Sequence, residues 1–193
     1  MWKNLSNKKL ILASNSPRRK ELLGGLGLPF EVRLKDGIDE SYPDDLTGED
    51  IPLHIAFKKA QAYLPELAED ELLITADTIV WLDGRVLGKP KDAEDARHML
   101  QALAGRTHQV ITGVCMATRE KRLAFASVTD VTFAPLTPED IAYYVDHYRP
   151  FDKAGAYGIQ EWIGFVGVER IEGSYYNVMG LPVKRVYEML QQF

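Results

Sequence analysis

Leu10-Ile11-Leu12-Ala13-Ser14-Asn15-Ser16-Pro17-Arg18-Arg19 is the stretch from which the fold can be read. Its first four residues are apolar without alternation, as in a strand buried on both faces. Ser16-Pro17 then supplies a helix cap followed by the proline favoured at the first helical position. A buried strand that passes straight into a helix is the opening unit of an α/β sheet. The helix carries Leu22, Leu23 and Leu26 inward and is expected to end among Gly24, Gly25 and Gly27.

Working outward, Glu31 to Leu34 suits a second strand, and Gly37 to Asp50 reads as an acidic loop broken by Pro43 and Gly48. Asp50 is placed to cap a helix from Ile51 to Leu64. The apolar stripe of that helix, Ile51, Ile55, Ala56, Ala60 and Tyr63, leaves Lys58 and Lys59 on its edges, where either can face a cleft. Strand-like runs, Leu72 to Ala76 and Ile79 to Leu82, flank Asp77-Thr78, and Asp83-Gly84 is a two-residue hairpin turn before Arg85-Val86-Leu87. Asp92 caps a helix with Ala96, Met99, Leu100 and Leu103 inward, ended by Gly105.

Gln109 to Thr118 and Leu123 to Ala134 form a long antiparallel hairpin through Arg119-Glu120-Lys121-Arg122. Thr137-Pro138-Glu139-Asp140 starts a helix expected to bury Ile141, Tyr144, Val145 and Tyr148. Phe165-Val166-Gly167-Val168 reads as a strand and Gly173 to Gly180 as a glycine-punctuated loop. Pro182 then opens a last helix with Val183, Val186, Tyr187 and Leu190 inward. The whole is one mixed α/β domain, residues 1–193, with a long twisted β-sheet and flanking helices.

A chain of 193 residues with 46% hydrophobic residues can bury a substantial core without help. The net charge of -5 gives no general attraction for nucleic acid, so no stable DNA or RNA binding is expected and any anionic partner must meet a local basic patch. Cys115 is the only cysteine, which excludes an intrachain disulfide and a cysteine metal cluster and fits a reducing cytoplasm. The apolar run near the N-terminus is too short to span a membrane, so no membrane association is expected. His54, His98, His108 and His147 lack zinc-site spacing, and no Walker, dinucleotide-binding or serine-elbow motif is present. An apolar face on the hairpin or last helix leaves a homodimer as an expectation.

The segment Ser14-Asn15-Ser16-Pro17-Arg18-Arg19 places hydroxyls and guanidinium groups at a helix N-terminus, which suits a phosphate group; simple capping by Ser16 explains the same residues equally well. Asp77 lies in a strongly apolar run where an unpaired charge is costly. Beside a metal it can deprotonate water, and as a strand-end Asp it can equally bond to local backbone. Lys59, Lys89 and Lys153 can neutralise phosphate, although each taken alone is more commonly solvated surface. Glu40 can supply an oxygen ligand to a metal, or be one solvated carboxylate in an acidic loop.

In order along the chain, several blocks resemble those of the Maf family of nucleotide pyrophosphatases. They are Leu12 to Arg19, Ala76-Asp77-Thr78, Leu87-Gly88-Lys89-Pro90, Gly105-Arg106-Thr107-His108 with Thr112-Gly113-Val114, Asp152 to Gln160, and Gly173 to Pro182. The resemblance implies a long curved sheet forming two lobes around a cleft, an architecture shared with inosine triphosphate pyrophosphatases. It also implies a cytoplasmic enzyme that uses a divalent cation, Mg²⁺ or Mn²⁺, to split nucleoside triphosphates into monophosphate and pyrophosphate. Nucleotide-pool cleaning or cell-division arrest is the biological role it implies.

By this resemblance Asp77 is the proton acceptor or a metal ligand with Glu40. Ser14, Arg19, Glu40, Lys59 and Lys89 line the catalytic site; Ser16 and Lys153, from their own chemistry, are candidates for binding the substrate. Arg18, Thr78 and Gln160 resemble the branch acting on dTTP and UTP, and a Gln amide offers both a donor and an acceptor to a pyrimidine edge. The alternatives are a purine or modified nucleotide as substrate, or a non-catalytic nucleotide sensor acting in division.

Overall fold

The computed structural model describes residues 2–193. Strands and helices alternate at first and then run mostly in like pairs: β1 (Lys9–Leu12), α1 (Pro17–Gly24), β2 (Phe30–Val32), α2 (Asp50–Tyr63), β3 (Glu71–Leu82), β4 (Arg85–Leu87), α3 (Ala93–Leu103), β5 (Thr107–Ala117), β6 (Arg122–Phe133), α4 (Pro138–Tyr148), α5 (Trp162–Gly167), β7 (Val168–Glu172), α6 (Tyr175–Met179) and α7 (Val183–Leu190). The strands form a mixed sheet in the order β2-β1-β3-β5-β6-β7, with β4 added to β3. β1 is parallel to both β2 and β3, whereas β4 and β7 pair antiparallel with β3 and β6. No helix among the described residues is long and apolar enough to cross a membrane.

The chain divides into two compact units. One comprises the residues up to Asp77 with Thr112–Ser127 and Gly180–Phe193, and the other comprises Thr78–Ile111 and Val128–Met179. In the first unit, Ile11 of β1, Leu73 of β3 and Cys115 of β5 pack with Ala56, Ala60 and Tyr63 of α2 and with Leu67. Ile11 and Leu73 are fully buried, and each such side chain stabilises the fold by about 1.5–3 kcal/mol. That explains the unbroken apolar runs of β1 and β3. Burial pushes the Cys115 thiol up to about 11, so it stays a protonated packing group. Arg33 grips the buried Glu71 carboxylate with two parallel bonds, Nη1 to Oε2 at 2.9 Å and Nη2 to Oε1 at 2.6 Å.

The second unit is built around Leu100 and Leu103 of α3, Phe133 of β6, Tyr144 and Val145 of α4, Tyr157 and Ile163, all buried. Asp83 and Gly84 both take positive φ, 50° and 76°, as the tight β3–β4 turn demands. Thr137 and Asp140 cap α4 reciprocally. His108 is buried and bonded through Nε2 to the Tyr157 hydroxyl at 2.7 Å; burial lowers it to about 4, so it is a neutral core residue.

Several expectations need correction. Asp50 lies inside α2 and Glu49 occupies the cap position, without a side-chain cap bond. Phe165-Val166-Gly167 is helical, and strand pairing begins only at Val168 opposite Phe133. Phe165 and Val166 are 78% and 48% exposed, so the apolar run is not a buried strand; a short apolar run cannot by periodicity distinguish the two. Gly173 to Gly180 contains α6, whose buried Asn177 donates to the Val110 carbonyl and Thr129 Oγ1, each at 3.0 Å. Tyr148 and Tyr187 are exposed: Tyr148 is the last residue of α4, and Tyr187 sits at the margin of the stripe that Val186 and Leu190 bury.

Candidate active site

The first unit gathers most of the chemistry-bearing residues at the exit of β1. Ser16 begins α1, its Oγ accepting from the Arg19 amide at 3.4 Å, and the Ser16 amide donates to Ser14 Oγ at 3.3 Å. Capping is therefore real, and it also draws Ser14 and Ser16 together. Arg19 turns back across the turn: Nη1 donates to the Ala76 carbonyl at 2.9 Å and to Ser14 Oγ at 3.4 Å, and Nε donates to the Gly180 carbonyl at 2.8 Å. Its first structural task is to tie the β1–α1 turn to β3 and to the segment before α7.

Asp77 acquires its partner from α2. Thr75 and Asp77 stand on one face of β3, two residues apart. Thr75 Oγ1 donates to the Ala56 carbonyl at 2.7 Å. Lys59 follows Ala56 by three positions and so shares its face of the helix. Lys59 Nζ consequently lies 2.9 Å from Asp77 Oδ1 and 3.0 Å from Glu40 Oε1. The helix approaches so closely because Gly113 has no side chain: a Cβ there would lie 2.4 Å from the Pro52 carbonyl carbon and oxygen. Lys58 is otherwise engaged, with Asp39 at 2.7 Å, and that contact holds the Asp39 carboxyl well below its usual range, helped by the Ser41 backbone and hydroxyl.

The resulting cluster is alternately charged. Burial lowers the Arg19 guanidinium from its ordinary value, Asp77 opposes that shift, Arg18 adds to it and Glu40 opposes it. An arginine so lowered is still a cation at neutral pH. Asp77 and Glu40 each place one oxygen on the same ammonium, so the pair can also converge on a small hard cation. Among the described residues no group of three His, Cys, Asp or Glu side chains could hold a metal ion. Two carboxylates with phosphate and water oxygens match what Mg²⁺ requires, since it is usually held through one or two carboxylates and substrate phosphates.

The second unit holds the other sequence candidates. Thr78 stands on the face of β3 opposite Asp77, by strand alternation. Lys89 is exposed after β4, and the preceding Gly88 carbonyl accepts from the Gly155 amide at 3.0 Å, so the Lys89 segment is tied to the loop that carries Lys153. Lys153 is not the solvated lysine its sequence context allowed. It is 8% exposed, with Nζ 2.8 Å from Asp152 Oδ1 and 3.1 Å from Glu161 Oε1. Gln160 follows in a turn in which the Glu161 amide donates to the Gly158 carbonyl at 3.0 Å.

The sequence model of the Maf-like protein family matches residues 9–193, which takes in both units and every segment just described. The chain belongs to the Maf family. A dTTP/UTP pyrophosphatase of Bacteroides fragilis is 61% identical over 192 residues, covering all of both chains. One of Parabacteroides distasonis is 58% identical over 193 residues, again covering both completely. Among solved structures, a HAM1 protein of Coxiella burnetii is similar with a TM-score of 0.50 and 15% identity, over 96% of this chain and 100% of the other. That last likeness is one of fold alone.

In this Maf-family chain the structure makes prominent three groups that the sequence does not point to. The Gly180 carbonyl holds Arg19, and backbone acceptors carry no signature in sequence. Glu161 and Tyr144 surround the Gln160 turn; Glu161 was adjacent to a recognised motif, whereas Tyr144 read only as a core residue of its helix.

Proposed function

We propose that this Maf-family protein is a nucleoside triphosphate pyrophosphatase that hydrolyses dTTP and UTP to the monophosphate and pyrophosphate, with residues 1–193 working as one functional unit. The observation that carries the reading is the Lys59 ammonium seated between Asp77 and Glu40, beside Arg19 at the start of a helix. The names of the full-length relatives from Bacteroides fragilis and Parabacteroides distasonis supply the substrate class.

On this reading Asp77 takes the proton of the water that attacks the α-phosphorus, and Lys59 orients its carboxylate and balances its charge. Asp77 and Glu40 would be the carboxylates to hold a divalent cation, Mg²⁺ or Mn²⁺; each already places one oxygen on the same ammonium. When bound, that cation supplies neutralising charge to the triphosphate and Lewis acidity at phosphorus. Ser14 and Ser16, with the helix N-terminus, receive phosphate oxygens, Arg18, Arg19, Lys59 and Lys89 offset the charge that grows on the leaving pyrophosphate, and Lys153 joins in binding the substrate through the turn that carries Gln160. Gln160 reads the base: uracil and thymine present an N–H flanked by carbonyls, which an amide can meet with its acceptor and its donor. Thr78 contributes to the same selection. The enzyme then acts on the free nucleotide pool of the cytoplasm.

The test is a panel of dTTP, UTP, dCTP, CTP, dATP, GTP and 7-methyl-GTP with Mg²⁺ or Mn²⁺, separating pyrophosphate from orthophosphate. Pyrophosphate with preference for dTTP and UTP is expected. Orthophosphate alone overturns the reaction class, and a preference for purine or methylated nucleotides overturns the substrate.

A further inference from the structure

The turn Gly158-Ile159-Gln160-Glu161 is closed by its own backbone bond, Glu161 amide to Gly158 carbonyl at 3.0 Å. One side chain from outside the turn grips both its ends. The buried Tyr144 hydroxyl of α4 accepts from the Gly158 amide at 3.0 Å and donates to Glu161 Oε2. The other oxygen of that carboxylate, Oε1, receives Lys153 Nζ at 3.1 Å. Gln160 lies between the two clamped positions, while Ile159 is buried beside it and anchors the peptide by packing.

The amide of Gln160 is also crowded into position. A Cβ at Gly158 would lie 3.0 Å from Glu161 Cδ, 3.0 Å from Lys153 Cε and 3.1 Å from Gln160 Nε2, so three side chains close over that glycine. Gln160 Oε1 is buried and accepts no hydrogen bond within the protein. A buried carbonyl without a donor is costly, and a donor from a bound ligand would complete it.

We propose that Tyr144 is a positioning residue for substrate selection: by clamping Gly158 and Glu161 with one hydroxyl, it holds the Gln160 amide where its buried oxygen can accept the ring N–H of uracil or thymine. The inference rests on the assignment of Gln160 to the nucleobase made above. Tyr144 itself touches no substrate. Burial first, and the Glu161 hydrogen bond second, push the Tyr144 hydroxyl well above its ordinary range, so it remains a donor throughout the working pH range. Cytosine carries no N–H at the corresponding ring position, so a fixed acceptor discriminates against it, whereas a loose amide can turn and present its donor instead.

Tyr144→Phe removes both clamping bonds and keeps the ring in its packing. The expected result is a rise of about tenfold in KM for dTTP with kcat within about twofold, and a matching fall in the preference for dTTP over dCTP. General loosening of the fold lowers the active fraction equally for every nucleotide and leaves that ratio unmoved. Gln160→Ala should lose the preference by itself, and Tyr144→Phe added to it should cost nothing further, because the two act as one unit. Glu161→Gln provides the same comparison if Tyr144→Phe fails to fold. Unchanged preference in the clamp variant, or losses that simply multiply in the double variant, would overturn the positioning role while leaving Gln160 in place. Unchanged preference in Gln160→Ala would instead remove the nucleobase assignment, and the positioning role with it.

Discussion

Replacing Lys59 with methionine isolates the contact on which the candidate site depends. The methionine can follow the aliphatic stem of the lysine, so the change chiefly deletes the ammonium that touches Asp77 at 2.9 Å and Glu40 at 3.0 Å. The Lys59 and Asp77 side chains are 14% and 15% exposed, which places the pair among buried ion pairs, whereas Glu40 at 57% can recover solvent. Breaking a buried pair by removing one partner typically costs about 3–5 kcal/mol, because the remaining charge is stranded. Arg19 still acts on Asp77 and some solvent still reaches it, so the low end, about 3 kcal/mol, is expected. For a chain of this size that corresponds to a melting temperature lower by about 6–12 °C.

Urea denaturation of the wild type, Lys59→Met, Asp77→Asn and the double variant forms a thermodynamic cycle. Since the cost comes from the stranded carboxylate, the double variant should be more stable than Lys59→Met alone, with a coupling of about 1–3 kcal/mol. A loss under about 1 kcal/mol in Lys59→Met, or additive losses around the cycle, would refute the reasoning, because a solvated surface pair behaves that way.

Asp77→Asn should lower kcat/KM for dTTP by about a thousandfold with an unchanged circular dichroism spectrum; wild-type turnover in that variant removes Asp77 as the proton acceptor. Gly113→Ala forces a methyl to within 2.5 Å of the Pro52 and Leu53 backbone, and a destabilisation of about 3 kcal/mol in chemical denaturation is expected. Arg33 holds the Glu71 carboxyl at about 2, below its ordinary 4.5. A depressed carboxyl contributes stability that is present above the unfolded value and lost as pH falls through the folded one. The window is therefore pH 4.5 down to 2, and the acid loss measured by denaturant titration should flatten in Glu71→Gln by at most about 3 kcal/mol.

Elements whose signals are local were legible. Ser16-Pro17, Asp92 and Thr137-Pro138 start helices where their side chains can cap them, and Asp83-Gly84 makes the turn its residue types favour. Phe165-Val166-Gly167 misled because a short apolar run carries no period, and hydrophobicity alone does not say whether a partner strand covers it. Tyr187 was misjudged for a related reason: a helix pattern defines a stripe, while the width of the covering surface is set by other elements.

For the site, the sequence by itself determined the chemical types available: a hydroxyl-rich helix start, an aspartate in an apolar strand, scattered lysines, and the ordered blocks that resemble the Maf family. Only the tertiary structure decided which lysine serves which carboxylate. Lys58 and Lys59 are neighbours in sequence, yet one pairs with Asp39 and the other with Asp77 and Glu40. It also converted Lys153 from apparent surface into a buried ion pair and Tyr144 from a core ring into a clamp. The physical reason is range: capping and turns are settled among residues a few positions apart, whereas burial and ion pairing depend on segments far apart in the chain that only packing brings together.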